Sequence, residues 1–233
     1  MNNLSLSVFM PVIISFLISV VFCPILIPFL RKLKFGQTER EEGPQSHLKK
    51  NGTPTMGGLV ILASILLTSL IYIGKFTEIL PVLFMTLGFG LIGFLDDYIK
   101  VVKKRNLGLK AGQKSLGQLL VAVLYLAAEY IFAPHTTLWI PFAGEFDIGF
   151  FYYPVMLFII IGAVNAVNLT DGIDGLASSV TMVAAMGFLV ISSIEGFVQM
   201  NLLAAALAGV CLGFLVWNFH PAKVFMGDTG SMF

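Results

Sequence analysis

Leu95-Asp96-Asp97-Tyr98-Ile99-Lys100 closes a run, Ile79 to Leu95, that carries no charge at all. An uncharged run of that length reads as a membrane helix, and the two adjacent carboxylates mark where it stops. Lys100, Lys103, Lys104 and Arg105 arrive within the next one or two helical turns. Two carboxylates about 4 Å apart repel by about 4 kcal/mol at an effective dielectric near 20. Such a pair at a membrane edge calls for a cation, a shared proton or deep solvation. A solvated helix end meets the third need, so the acid pair alone does not establish a site.

The composition extends the membrane reading to the whole chain. Of 233 residues 57% are hydrophobic and only 12% charged, so the charge is confined to a few loops. This describes an all-α, polytopic membrane protein, a single transmembrane domain over residues 1–233. A net charge of +1 leaves no domain-wide basic excess for nucleic acid. Cys23 and Cys211 both fall inside apolar runs and read as small core residues, not a disulfide framework. His47, His135 and His220 are too scattered for zinc-ligand spacing.

About seven transmembrane helices follow from the apolar runs. The first, Leu4 to Leu30, is too long for a signal-peptide core and has no Lys or Arg before it. Pro11, Pro24 and Pro28 are expected to kink or end it. The second starts at Thr53-Pro54-Thr55-Met56-Gly57-Gly58 and reaches Gly74, and the third is Ile79 to Leu95. The fourth spans Leu116 to about Ala133, and the fifth, Pro154 to Leu169, ends in Asn168-Leu169-Thr170-Asp171-Gly172-Ile173-Asp174-Gly175. The sixth is Leu176 to Ile194, and the seventh, from about Asn201 to Phe219, sets Ala205, Gly209 and Gly213 four apart as a close-packing face. Residues 134–150 form a loop with turn residues and alternating apolar positions, a candidate hairpin at the interface.

Orientation follows from charge. The loops at about 31–52 and 96–114 hold six Lys or Arg each, and Lys223 follows the seventh helix. With alternating helices, thirteen of the fourteen basic residues share one side, which the positive-inside rule assigns to the cytoplasm. The 134–150 loop is then external, and the turns at about 168–175 and 220–233 are cytoplasmic. Asp96-Asp97, Asp171 with Asp174, and Gly227-Asp228-Thr229-Gly230-Ser231 thereby converge on one face at three helix ends.

Acids with glycines and nearby lysines are what magnesium-assisted phosphoryl chemistry uses. Mg²⁺ takes oxygen ligands, usually one or two carboxylates plus substrate phosphates. Asp-Gly and Gly-Asp turns let backbone N–H groups approach a phosphate closely, and lysines supply point charges for it. Plainer readings stand beside this one. His47 and His220 read as solvated or interfacial residues, and the lysine loops can simply set topology or attract anionic lipid. The sequon Asn168-Leu169-Thr170 falls on the wrong side for glycosylation.

Four stretches carry a family resemblance: Gly52 to Gly58, Leu95-Asp96-Asp97-Tyr98, Asn165 to Ala177, and Phe225-Met226-Gly227-Asp228-Thr229-Gly230-Ser231. In this order they resemble the phospho-N-acetylmuramoyl-pentapeptide transferases, within the polyprenyl-phosphate N-acetylhexosamine-1-phosphate transferases. The resemblance implies transfer of phospho-N-acetylmuramoyl-pentapeptide from UDP to undecaprenyl phosphate, releasing UMP, with Mg²⁺ as cofactor. The implied setting is the bacterial plasma membrane, with the site facing the cytoplasm and a homodimer left open. By motif, Asp96 matches the residue that deprotonates the lipid phosphate, Asp97 its assistant, and Asp228 the magnesium ligand. Asn168, Asp171 and Asp174 match the nucleoside pocket, Phe225 an aromatic that stacks on uracil, and Lys50, Lys100 and Lys114 bases near the diphosphate. The family has ten helices and a histidine-rich C-terminal motif, so the chain is expected to be a fragment that is inactive alone and packs poorly.

A sister enzyme transferring N-acetylglucosamine-1-phosphate to the same lipid shares three of the four motifs. The Gly52–Gly58 stretch and Asn168-Leu169-Thr170-Asp171-Gly172 favour the muramoyl branch. A secondary transporter would place acids near the midplane on broken helices of repeated halves, and no internal repeat is present. An intramembrane aspartyl protease needs two facing aspartates within the membrane, which positions at helix ends would not supply.

Overall fold

The computed structural model describes residues 3–32, 52–74, 76–103, 107–140 and 142–233, with side chains from residue 9 onward. Lys50 lies outside the described residues, as do His47, Lys104 and Arg105.

Among the described residues the fold is helical apart from one hairpin. Helix α1 (Asn3–Lys32) runs through Pro11, Pro24 and Pro28 without ending. Prolines are tolerated in this way when neighbouring segments and side chains satisfy the freed backbone groups. Helix α2 (Gly58–Tyr72) is only 15 residues, about 22 Å at 1.5 Å per residue. It is shorter than the second apolar run because residues 54–57 are spent elsewhere. Phe225 N–H donates to the Pro54 carbonyl at 2.8 Å, and Gly57 N–H and Gly58 N–H donate to the Phe225 and Met226 carbonyls at 2.9 Å each. Two of the resembling stretches are thus paired edge to edge.

A short 3₁₀ turn (Thr77–Ile79) leads into α3 (Leu80–Val102), which has Pro81 in its first turn, where a missing N–H costs nothing. This helix does not stop at the acid pair. It continues for more than a turn beyond it, so Asp96 and Asp97 are buried helical residues, not a solvated end. Helix α4 (Ala111–Phe132) begins ahead of its apolar run, with Lys110 N–H capped by Gln113 Oε1 at 3.0 Å. Lys114 is therefore a first-turn helical residue.

Strands β1 (Thr137–Ile140) and β2 (Gly144–Asp147) form the antiparallel hairpin, pairing Leu138 with Phe146. A second 3₁₀ turn precedes α5 (Tyr152–Thr170). Helices α6 (Leu176–Glu195) and α7 (Val198–Asn218) follow, and a single turn, α8 (Asp228–Ser231), lies near the end.

Helices α1 and α3 to α7 are long and apolar enough to cross a membrane, and α2 is the shorter apolar helix. Over half of α7 is buried, which makes it the central post. Its small-residue face meets α1. A Cβ on Gly209 would run into the Val12 carbonyl, and one on Gly213 would crowd the Phe16 carbonyl and Ser19. The larger apolar core joins α1, α2, α6 and α7 through Cys23, Ile61, Ala177, Val210 and Phe214. A second cluster holds Phe89 and Ile92 of α3, Ala122 of α4 and Met232 beyond α8. The site sits where these two cores meet α8.

Candidate active site

α8 brings Asp228 to α3 because glycines clear the way. Gly227 has φ +71°, a left-handed conformation that side chains disfavour, and a Cβ there would press on Asp97 Oδ2 and Thr55 Oγ1. Gly93, one turn before the acid pair, lets the Asp228 carbonyl cross directly over α3. Gly58 packs in the same way against the backbone of Gly230.

Asp96, Asp97 and Asp228 consequently face one another, with one oxygen from each lying within 4.8 Å of the others. Their environments differ. Asp97, 2% exposed, receives the Thr229 N–H at 2.8 Å and the Thr229 hydroxyl at 2.7 Å on Oδ2. Its Oδ1 takes the Asp228 N–H at 3.2 Å. Asp96 Oδ1 accepts the Leu109 N–H at 2.7 Å, an approach open because a Cβ on Gly108 would strike that carboxylate.

Two ammonium groups serve the cluster. Lys100 Nζ lies 2.6 Å from Asp96, 3.6 Å from Asp97 and 3.1 Å from Asp228. Lys114 Nζ is 2.9 Å from Asp228 Oδ2 and donates to Asn168 Oδ1 at 3.2 Å. Asn168 Nδ2 donates to Asp228 Oδ1 at 3.0 Å and to Ser231 Oγ at 2.7 Å. Burial works against charge on Asp228. The hydrogen bond with Asp96 and the ammonium groups of Lys100 and Lys114 outweigh it and hold that carboxyl below the usual carboxylate range. Asp171 goes the other way. Burial first, then the charges of Asp228 and Asp97, push it up to about 7, although the Gly227 N–H donates to it.

Of the residues singled out from sequence, Asp96, Asp97, Asp228, Lys100, Lys114 and Asn168 come together in one network, and Asp171 borders it. Asp174 has partners on another segment. Its Oδ2 receives the Ala222 N–H at 3.2 Å and lies 3.1 Å from His220 Nδ1, tying the turn before α6 to the segment after α7. His220 is therefore a partner of Asp174 as well as an interfacial residue. The Phe225 backbone is committed to the pairing with Pro54 and Gly57. Asn168, with its whole amide engaged, is no free sequon.

Sequence reasoning assigned no role to Thr229, Ser231 or the Leu109 amide. Thr229 and Ser231 stood in a quoted motif, and the signal was there in their hydroxyls. A backbone N–H thirteen residues from its acceptor leaves no trace in composition. The ground offered against a protease, acids at helix ends, also changes, since Asp96 and Asp97 face Asp228 from within α3. What separates this site from a bare aspartate pair is that Lys100 lies among the three acids and Lys114 pairs with Asp228.

The cluster can hold a divalent cation. Lys100 already shows that one positive group reaches all three acids, and all-oxygen carboxylate donors suit a hard ion. Asp97 and Asp228 each accept three hydrogen bonds. Those on Asp97 come from backbone and Thr229, while those on Asp228 come from the Lys100, Lys114 and Asn168 side chains, which a cation can displace.

A family model described as glycosyl transferase family 4 matches residues 79–233, and the phospho-N-acetylmuramoyl-pentapeptide-transferase signature 1 matches residues 50–62. The chain is 53% identical over 226 residues to the phospho-N-acetylmuramoyl-pentapeptide-transferase of Bacillus pumilus, covering 95% of this chain and 70% of that protein. The protein of the same name from Bacillus subtilis is 52% identical over 226 residues, with the same shares. That from Halalkalibacterium halodurans is 51% identical over 225 residues, covering 94% and 69%.

Proposed function

Because the chain belongs to glycosyl transferase family 4 and, within it, to the phospho-N-acetylmuramoyl-pentapeptide-transferases, we propose the following chemistry for its acid cluster. The protein is a multi-pass membrane phosphotransferase. It moves phospho-N-acetylmuramoyl-pentapeptide from UDP to undecaprenyl phosphate, forming the first lipid-linked peptidoglycan precursor and UMP. An oxygen of the lipid phosphate bonds to the sugar-bearing phosphorus, and the bridging oxygen departs with UMP. The observation that carries this reading is the convergence of Asp96, Asp97 and Asp228, from two resembling stretches, within 4.8 Å.

Asp228, held by Lys114 and Asn168, is the main residue that would hold Mg²⁺, with Asp96 beside it. A divalent cation held by these carboxylates would supply positive charge for the diphosphate and the departing UMP. In this reading Asp96, beside Lys100, takes the proton of the lipid phosphate. Asp97 fixes α8 against α3 and so sets the spacing of the other two acids. Lys100 and Lys114 supply charge for the diphosphate, and Asn168 and Asp171 border the nucleoside. Lys50 and Phe225 complete the substrate set on the strength of the resemblance. The excess of basic residues beside these helix ends supports a cytoplasmic site.

The test is donor choice. Membranes expressing the complete reading frame would receive undecaprenyl phosphate and Mg²⁺ with either UDP-N-acetylmuramoyl-pentapeptide or UDP-N-acetylglucosamine. Lipid product from the muramoyl donor only is expected. Product from the glucosamine donor only would move the protein to the sister branch.

A further inference from the structure

Outside the acid cluster, Tyr152 Oη donates to Glu129 Oε1 at 3.3 Å where α4 ends and α5 begins. Gln118 pairs with Asn165 at the other end of the same two helices, next to Lys114 and Asn168. Gln118 of α4 is 1% exposed. Its Nε2 donates to Asn165 Oδ1 at 3.3 Å, and Asn165 Nδ2 returns a bond to Gln118 Oε1 at 3.0 Å. Asn165 Nδ2 also donates to the Ile161 carbonyl one turn back, at 2.8 Å. Both residues lie within helices long and apolar enough to span the membrane. There an amide without a partner is strongly unfavourable, so the two hold each other in place.

We propose that Gln118 and Asn165 form a register clasp between α4 and α5 that sets where Lys114 and Asn168 meet Asp228. Lys114 precedes Gln118 by four residues and Asn168 follows Asn165 by three, so each helix presents its two polar residues on one face. The pairs Gln118–Asn165 and Lys114–Asn168 are then successive rungs about one 5.4 Å turn apart. The second rung ends on the two Asp228 oxygens, at 2.9 Å from Lys114 and 3.0 Å from Asn168. The apolar cluster to which both helices contribute is aliphatic on their side, with Val121, Ala122, Leu157, Ile160 and Val164. Such packing is non-directional and tolerates sliding. A reciprocal amide pair does not, because a one-residue shift turns a helix face by about 100°.

Gln118 and Asn165 are thus positioning residues acting through Lys114. The inference rests on the site reading above, and its first test does not use substrate. In Gln118→Met, a near-isosteric apolar change, an amine-modifying reagent should label Lys114 several-fold faster, read by peptide mass spectrometry. Labelling of exposed Lys110 should stay unchanged. In turnover, Gln118→Met should raise KM for the nucleotide donor about tenfold, with KM for the lipid phosphate unmoved. The exchanged pair Gln118→Asn with Asn165→Gln should return both readouts to within threefold of wild type, whereas Gln118→Asn alone should not. That comparison serves if Gln118→Met does not fold.

Unchanged Lys114 labelling in the folded single variants, or an exchanged pair no better than its components, would overturn the clasp. Altered labelling in an enzyme that does not use the muramoyl donor would sustain the clasp and remove the substrate assignment.

Discussion

Thr229 holds one oxygen of Asp97 twice, its amide at 2.8 Å and its hydroxyl at 2.7 Å from Oδ2. Two residues 132 positions apart are thereby locked together, and with them α8 and α3. The adjacent acids have different duties as a result. Asp97 ties α8 to α3, and we propose that Asp96 acts on the substrate. Thr229→Val should destabilise the protein by about 1 kcal/mol through the lost hydroxyl bond. Asp97→Ala, which strands two backbone N–H groups, should lower the melting temperature more than Asp96→Ala does. Equal losses in thermal unfolding would remove the distinction.

Lys114 reaches Asp228 from the first turn of α4, a position its loop-like sequence context did not suggest. Lys114→Gln leaves Asn168 a hydrogen-bond donor but takes a positive charge from Asp228. Turnover should fall by about 10²-fold, the scale seen when one electrostatic stabiliser is deleted. Steady-state kinetics on purified enzyme reads this directly, and a loss under threefold would place Lys114 outside the site.

Glycine positions give a steric prediction free of assumptions about substrate. A Cβ at Gly93 meets the Asp228 carbonyl, whereas one at Gly112 meets nothing within 4 Å. Gly93→Ala should therefore displace α8 and abolish activity, and Gly112→Ala should be neutral or stabilising by up to about 1 kcal/mol. Matching activities in the two variants would show that α3 and α8 do not cross as described.

Asp171 yields a pH signature. Its carboxyl is raised to about 7 in the fold, against an unfolded value near 3.9, so the folded state holds the proton more tightly. Its stabilising contribution is fully present below about pH 4 and is lost as pH rises through 7. Asp171→Asn can still accept the Gly227 N–H and carries no charge. In chelator, it should raise the melting temperature more at pH 8 than at pH 5. An equal change at both values would show that Asp171 is not strained as an anion.

The sequence displayed the helices and most of the site, for identifiable reasons. Long uncharged runs gave α1 and α3 to α7, because a bilayer leaves few alternatives to a helix. Asp96, Asp228 and Lys100 were legible because charge and glycine are conspicuous against an apolar background, and Asn168 through the motif that carries the resemblance. Helix limits were not. Residues 54–57 look like the start of α2 until Phe225 and Met226 take up their backbone groups. The acid pair looks like an end until Thr229 and Lys100 make continuation of α3 favourable. Asp174 shares a motif with Asp171, and its bonds to the Ala222 amide and His220 could not be read from that motif. In each case the deciding partner lay far along the chain, out of reach of local pattern.

We propose that Asp228, set between Lys100 and Lys114, anchors the cation for transfer of a phosphorylated sugar to a lipid phosphate. The most direct measurement is a Mg²⁺ titration of lipid-product formation from UDP-N-acetylmuramoyl-pentapeptide, in membranes carrying wild type or Asp228→Asn. Saturable, chelator-sensitive turnover is expected in wild type, and at least a hundredfold loss at limiting Mg²⁺ in the folded variant. Identical titration curves would show that Asp228 does not hold the cation.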